Sequence, residues 1–256
     1  MKATLTVLGS GTSMGVPTIG CDCAVCHSSD PHDRRTRPSI LLEYNGKVVL
    51  IDTTPDFREQ AIREGIKQLD AVLYTHAHAD HILGLDDVRP LSYHRPGKIP
   101  LYAQPEAAAR LRNTFRYIFD ADYKFGGLAQ VELHDIEGPL DLFGASFEPV
   151  KVLHGDAEII GFRFGTAAYL TDFSSIPEDS FLQLQALDIL FLDALRHTPH
   201  PTHSTVENSL RIVERVKPKR TFFTHICHDL PHEATNAGFP PYVRLSYDGL
   251  KLEFQI

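Results

Sequence analysis

Five segments of strand-like character each end on a histidine or an aspartate, and that repetition constrains this chain more than any other feature. KVVLID closes on Asp52, AVLYTH on His76, VKVLH on His154, AAYLTD on Asp172 and RTFFTH on His225. Any one of these reads as a polar residue capping a strand. Together they call for strands whose ends gather in one place, because loops held on a rigid sheet are where sites are built. The density peaks at THAHADH, where His76, His78, Asp80 and His81 crowd into one stretch. Residues two apart in extended chain share a face, so His76 and His78 can serve one ion. Asp80 and His81 follow as the chain turns and can serve a second ion beside it. Imidazole and carboxylate suit Zn²⁺, Mn²⁺ or Fe²⁺. Four groups do not complete two sites, so His154, Asp172 and His225 are the expected additional ligands.

Strand-like runs recur in ATLTVLG, SILLEY, IPLYA, VELHDI, ASFEPVKVL, IIGFRFG, DILFLDA and KLEFQI. Helical periodicity appears in DFREQAIREGI, PEAAARLRNTFRYIF and STVENSLRIVERV. In the last, Ser204 is the expected N-cap and Glu207 its capping-box partner. The strands come first as a meander and the helices are interspersed later. Two sheets with helices on their outer faces would bury such a set, giving an α/β fold of four layers. No Gly/Ser linker, charge block or repeat divides the 256 residues, so one domain over residues 1–256 is expected.

Histidine is the compositional outlier, with 14 copies against no tryptophan and 2 methionines. A net charge of −8 argues against a broad nucleic-acid footprint, which needs a basic face. It leaves room for a small anionic substrate held by metal ions, since a bound cation dominates its local field. The opening MKATLTVLGSG is unlike a signal peptide, and no run nears the roughly 20 apolar residues of a membrane span. A cytoplasmic location with no membrane partner is therefore expected. Three of the four cysteines, Cys21, Cys23 and Cys26, form C-x-C-x-x-C. In a reducing compartment so close a cluster reads as thiolate ligands of a structural zinc. His27, His32, Cys227 and His228 compete for the fourth position.

The motif H-x-H-x-D-H, followed in order by a later His, Asp and His, resembles the signature of the metallo-β-lactamase-fold hydrolases. The resemblance covers nearly the whole chain and implies the αββα form of the four-layer sandwich. It implies two divalent catalytic metals, zinc or manganese: one on His76, His78 and His154, the other on Asp80, His81 and His225, with Asp172 bridging. It also implies that Asp52 braces the ligand histidines from behind. LGSGTSMGVPTIGCDCAVC is similar to the opening of the phosphodiesterase branch that serves carbon–phosphorus lyase pathways, whose members cleave a 5-phosphoribosyl 1,2-cyclic phosphate in phosphonate catabolism. That likeness implies one structural zinc on Cys21, Cys23, Cys26 and His228, with Cys227 a buried thiol. The glycines of this segment lack the G-K-[ST] of a phosphate-cradling loop.

Two metals roughly 3.5–4 Å apart can hold a bridging hydroxide for attack on phosphorus. Within HPTHSTVE, His203 matches the histidine that this branch directs at the substrate phosphate. Asp80 and His203 are thus the expected catalytic residues, and His200, His197, His94 and His134 the expected loop or solvent-facing ones. The expected substrate is a small anionic phosphodiester, with substrate choice made by residues 86–127, and a homodimer is compatible with the sequence. Four other classes share parts of the pattern. A tRNA 3′-end-processing endonuclease has the metal signature, but its long basic arm has no counterpart here. The pyrroloquinoline-quinone biosynthesis proteins have the cysteine element with a degraded metal signature, whereas here the signature is intact. A thioester hydrolase would use the same metals, and a zinc-stabilised binding module would use none of them for turnover.

Overall fold

The computed structural model describes residues 1–93, 95–120, 122–123 and 126–256. Fourteen strands are present among the described residues. The first six are β1 (Lys2–Gly9), β2 (Ser39–Tyr44), β3 (Lys47–Ile51), β4 (Ala71–Leu73), β5 (Ile99–Ala103) and β6 (Val131–Asp135). The next five are β7 (Leu140–Leu142), β8 (Ala145–His154), β9 (Ala157–Phe164), β10 (Ala167–Leu170) and β11 (Ile189–Asp193). β12 (Arg220–Thr224), β13 (Val243–Leu245) and β14 (Lys251–Gln255) complete them. They form two seven-stranded sheets, ordered β14-β1-β2-β3-β4-β5-β6 and β13-β12-β11-β10-β9-β8-β7.

Each sheet is half antiparallel and half parallel. β1, β2, β3 and β14 pair antiparallel, and β3 through β6 run parallel. β7 through β10 pair antiparallel, and β10 through β13 run parallel. Parallel neighbours put their carboxyl ends at the same edge, where open α/β sheets bind ligands. Asp52 follows β3, His76 follows β4 by a few residues, Asp172 follows β10, and His225 follows β12. The topology therefore brings these residues to one rim.

Alternation along the strands sorts the core. Leu5, Val7, Ile51, Leu73, Phe147, Phe162, Phe164 and Phe191 meet between the sheets. The other faces carry helices, which explains the near-continuous burial of the parallel strands. Leu41, Leu50 and Val72 pack with Phe57 of α1 (Phe57–Glu64), while α2 (Ala79–Ile82) adds Ile82 to the same cluster. α3 (Arg89–Ser92) leads toward β5. Ala108 and Leu111 of α4 (Pro105–Thr114) and Ile118 of α5 (Arg116–Phe119) complete that layer. Leu170, Leu190 and Leu192 pack with Val206, Ile212 and Val213 of α6 (Val206–Val216) on the second sheet. The short α7 (His232–Ala237) lies beside β13. The result is the expected αββα sandwich.

Local expectations fared unevenly. The single helix expected over residues 105–119 breaks at Phe115, whose backbone leaves the helical region (φ −110°, ψ 42°) as its ring enters the core. Thr205, not Ser204, caps α6, its side chain accepting from Asn208 N. Ser204 is buried and its Oγ lies 2.7 Å from Ser209 Oγ, which removes it from capping. Glu207 pairs with His197 Nδ1 (2.6 Å) and closes no capping box. The glycines of LGSG serve close backbone packing: a Cβ on Gly9 would sit 1.9 Å from Arg37 O. Among the described residues no helix is long and apolar enough to cross a membrane.

Candidate metal centre

Three of the rim residues adopt backbone that a side chain ordinarily avoids. Asp52, Asp172 and His225 have φ of 68°, 56° and 57°. Left-handed backbone at a residue other than glycine costs on the order of 1–3 kcal/mol when the surroundings must enforce it. Here it turns each side chain off the end of its strand into a shared space.

Two donor groups result. His76, His78 and His154 offer ring nitrogens within 4.8 Å of one another. Asp80, His81, Asp172 and His225 form the second group at the same spacing. Asp172 reaches both: its Oδ1 lies 3.3 Å from His81 Nε2, and its Oδ2 lies 3.2 Å from His225 Nε2 and 3.9 Å from His76 Nε2. Asp80 Oδ2 is 3.4 Å from His81 Nε2 and 3.5 Å from His225 Nε2. His78 heads α2 with no side-chain capping bond among the described residues, its ring meets those of His76 and His154 at 4.6 and 5.0 Å, and it is the exposed member of the first group. A cavity of about 80 Å³ opens there, lined by His76, His78, His154, Gln104, Arg110 and Glu158 among others.

The ring orientations are fixed from behind. Asp52 Oδ2 lies 2.7 Å from His81 Nδ1, while Asp52 also accepts from Thr75 N (2.9 Å) and Thr75 Oγ1 (2.8 Å). Thr75 Oγ1 is 3.0 Å from His76 Nδ1, and His154 Nδ1 donates to Thr202 O (2.8 Å). With Nδ1 engaged, the Nε2 side of each ring faces the cluster. Among the described residues, His76 Nε2, His81 Nε2, His225 Nε2 and Asp80 Oδ2 are buried without a hydrogen-bond partner. Buried polar atoms are rarely left so, and four of them converging fit divalent cations. The field agrees. Burial disfavours charge on His81, yet Asp172, Asp80 and Asp52 outweigh it and push that imidazole well above its ordinary value. His225 is likewise pushed up to about 10 against its burial, chiefly by Asp172.

His203 stands beside the donors. Its Nδ1 lies 2.7 Å from Asp193 Oδ2, and its ring stacks on His225 at 4.5 Å and meets His154 at 4.8 Å. A ring nitrogen of His203 comes within 4.8 Å of donor atoms of His154 and Asp172. Asp193, fully buried at the end of β11, was missed by the sequence reading. The signal was present, since DILFLD ends as KVVLID and AAYLTD do. Burial pushes its carboxyl up, and the neighbouring His203 opposes that.

The cysteine cluster is separate. Cys21, Cys23 and Cys26 Sγ lie 3.1, 3.3 and 3.6 Å from His228 Nδ1. These are spacings that zinc bonds of roughly 2.0–2.3 Å produce around one ion. Cys23 is brought down to about 6, first by the N–H of Cys26, whereas burial pushes Cys26 up to about 11. The rivals for the fourth position are engaged elsewhere. Cys227 is buried with its Sγ accepting from Asp229 N (3.4 Å), His27 faces Asp22 (3.3 Å), and His32 packs on His232. Of the remaining histidines, His200 Nδ1 lies 3.2 Å from Thr202 Oγ1 in its loop, and His197 is exposed. His134, expected to face solvent, stacks on Tyr102 with 42% of its side chain exposed, because β5 and β6 pair the two. His94 lies outside the described residues.

Residues 47–226 match the family described as "Beta-lactamase superfamily domain". A crystal structure described as a new diphosphatase from the PhnP family is 64% identical, with a TM-score of 0.94, covering 99% of this chain and 98% of its own. The octanoyltransferase of Porphyromonas gingivalis (strain ATCC BAA-308 / W83) is 37% identical over 250 residues, covering 96% of this chain. The chain spans only half of that relative's length. Zn²⁺-bound PqqB from Methylobacterium extorquens shares the fold, with a TM-score of 0.80 at 21% identity over 97% of this chain and 99% of its own.

Proposed function

This chain belongs to the β-lactamase superfamily and to its PhnP family, and on that basis we propose that it is a metal-dependent hydrolase of disubstituted phosphorus. The substrates in this reading are small phosphodiesters, cyclic ones included, and diphosphates. The observation that carries it is the convergence of two donor groups on Asp172 with His203 and Asp193 alongside. The 64% identical diphosphatase supports a P–O–P substrate, and the opening motif with its cysteine cluster supports a cyclic diester. Both present phosphorus with two ester or anhydride substituents.

His76, His78 and His154 would hold one divalent cation and Asp80, His81 and His225 a second, with Asp172 shared between them. Zinc or manganese fits these donors. Bound there, the pair would supply Lewis acidity toward phosphoryl oxygens and an activated water. Asp52, Thr75 and the Thr202 carbonyl hold the imidazoles in the tautomer that presents Nε2. Asp193 accepts from His203 Nδ1–H and stabilises the imidazolium, leaving Nε2–H to donate to the departing oxygen. Such proton transfer contributes roughly 10²–10⁴-fold. Arg110 adds a cation at the cavity wall that can face a substrate anion. A structural zinc on Cys21, Cys23, Cys26 and His228 would have four protein ligands and no position for substrate. The small cavity and the charge of −8 favour a small substrate over nucleic acid.

The test is a panel: protein loaded with zinc or manganese, offered a ribose cyclic phosphate, a linear phosphodiester, a diphosphate diester, a thioester and tRNA. Turnover of the small phosphorus substrates with a silent thioester is expected. Full metal content with thioester turnover alone would overturn the reading.

A further inference from the structure

We propose that His32, His232 and Glu233 form a further metal site, for a single zinc ion, distinct from the paired centre and from the cysteine cluster. Their donor atoms lie within 4.8 Å of one another. His32 Nδ1 faces two carboxylates, Asp30 Oδ1 at 3.3 Å and Glu233 Oε1 at 4.0 Å. The His32 and His232 ring centroids are 4.6 Å apart. Two imidazoles with carboxylate oxygens are a donor set that zinc accepts.

A second observation points to a ligand. His232 is only 4% exposed, and its Nδ1 is buried with no hydrogen-bond partner among the described residues. Buried ring nitrogens are normally satisfied, so an unpaired one on a ring packed against a second imidazole that itself faces two carboxylates needs an explanation. A cation supplies it.

The segments carrying these donors are already tied together, which lowers the ordering cost of binding. Asp30 Oδ1 accepts from His32 N (2.9 Å) and fixes the turn Pro31–Asp33. Asp33 Oδ1 accepts from His232 N (2.9 Å), joining that turn to the start of α7. Tyr247 packs on both rings, at 4.3 and 5.8 Å. The nearby Arg35 guanidinium is occupied by Asp33 (3.0 Å) and by the carbonyls of Cys227 (2.9 Å) and Leu230 (2.7 Å). An ion here would staple the Pro31–Asp33 turn to α7, and through Arg35 it would brace the loop that presents His228.

Crystals of the full-length protein grown with zinc, and data collected across the zinc absorption edge, test this directly. The proposal expects an anomalous peak between His32 and His232 in addition to those at the other clusters. In competition titrations, Glu233→Gln and His32→Ala should weaken one zinc equivalent by at least about tenfold, the scale seen when a metal's surroundings are disturbed. The other equivalents should keep their affinity. Glu233 is exposed and His32 partly so, and an unchanged melting temperature of the zinc-free variants would show that the fold is kept. Filled cysteine and paired sites with no peak at His32 and His232, or variants that bind the same number of equivalents equally well, would overturn it.

Discussion

Replacing Asp193 with asparagine isolates what a buried carboxylate does for His203. The side chains have nearly the same shape, and Asp193 is fully buried, so the change removes charge with little loss of packing. Asp193 Oδ2 lies 2.7 Å from His203 Nδ1, which puts the two charge centres roughly 4 Å apart. At an effective dielectric near 20 a full charge pair at that spacing interacts by about 4 kcal/mol. At about 1.4 kcal/mol per tenfold, that corresponds to a rate effect of roughly 10³-fold. An asparagine oxygen still accepts from Nδ1–H and keeps part of this, so a loss of about 10²–10³ in kcat is expected on a substrate with an alkoxide leaving group. A p-nitrophenyl ester needs little proton assistance and should lose far less. Stability should hold or rise, because burial opposes charge on Asp193 and its Oδ1 has no partner. The assay is steady-state kinetics on both substrate types, with melting temperature and metal content measured on the same samples. In a His203→Ala background, Asp193→Asn should have no further effect. Equal losses for both leaving groups, or an additive effect in the double variant, would refute the reasoning.

Asp172→Ala should empty or scramble the paired centre while the cysteine-bound zinc stays, as counted by metal analysis of the purified variant. Cys23→Ser should lower the melting temperature and release one zinc while activity per folded molecule persists, because a closed four-ligand site contributes to folding. Thr205→Ala should cost about 0.5–2 kcal/mol in denaturant unfolding through loss of the α6 cap. Asp70 accepts from Val48 N (2.9 Å) and Lys47 Nζ (3.1 Å); burial opposes its charge, but Gln68, Val48 and Lys47 hold its carboxyl below the ordinary 3.8. A depressed carboxylate stabilises the fold above its unfolded pKa, and that contribution is lost as pH falls through the folded value. Asp70→Asn should thus be destabilising at neutral pH, and the gap to the parent should close in acid unfolding below about pH 4.

Strand existence was legible because most strands here are long enough to show their burial pattern. β7 and β13 were not: each is three residues long and, unlike the equally short β4, is not followed by a ligand-type residue that marks its end. The site residues were legible as a set because histidine and aspartate at strand ends break an apolar pattern. Asp193 escaped although it breaks the same pattern, because its role depends on contact with His203, ten residues on, which periodicity does not report. Local chemistry misled where tertiary contacts took over. Ser204 has the right identity for a cap, but Ser209 engages its hydroxyl. Phe115 sits mid-pattern in a helical stretch, yet burial of its ring ends the helix there. The left-handed backbone of Asp52, Asp172 and His225 was equally invisible, since residue type at a strand end does not signal it.

The most direct test of the central claim is ³¹P NMR of the metal-loaded protein turning over a diphosphate diester and a cyclic phosphodiester in ¹⁸O-labelled water. The account expects product phosphorus carrying one ¹⁸O from solvent, with the signal abolished in Asp172→Ala and recovered by neither zinc nor manganese. Fully loaded protein that incorporates no label into either substrate would contradict it.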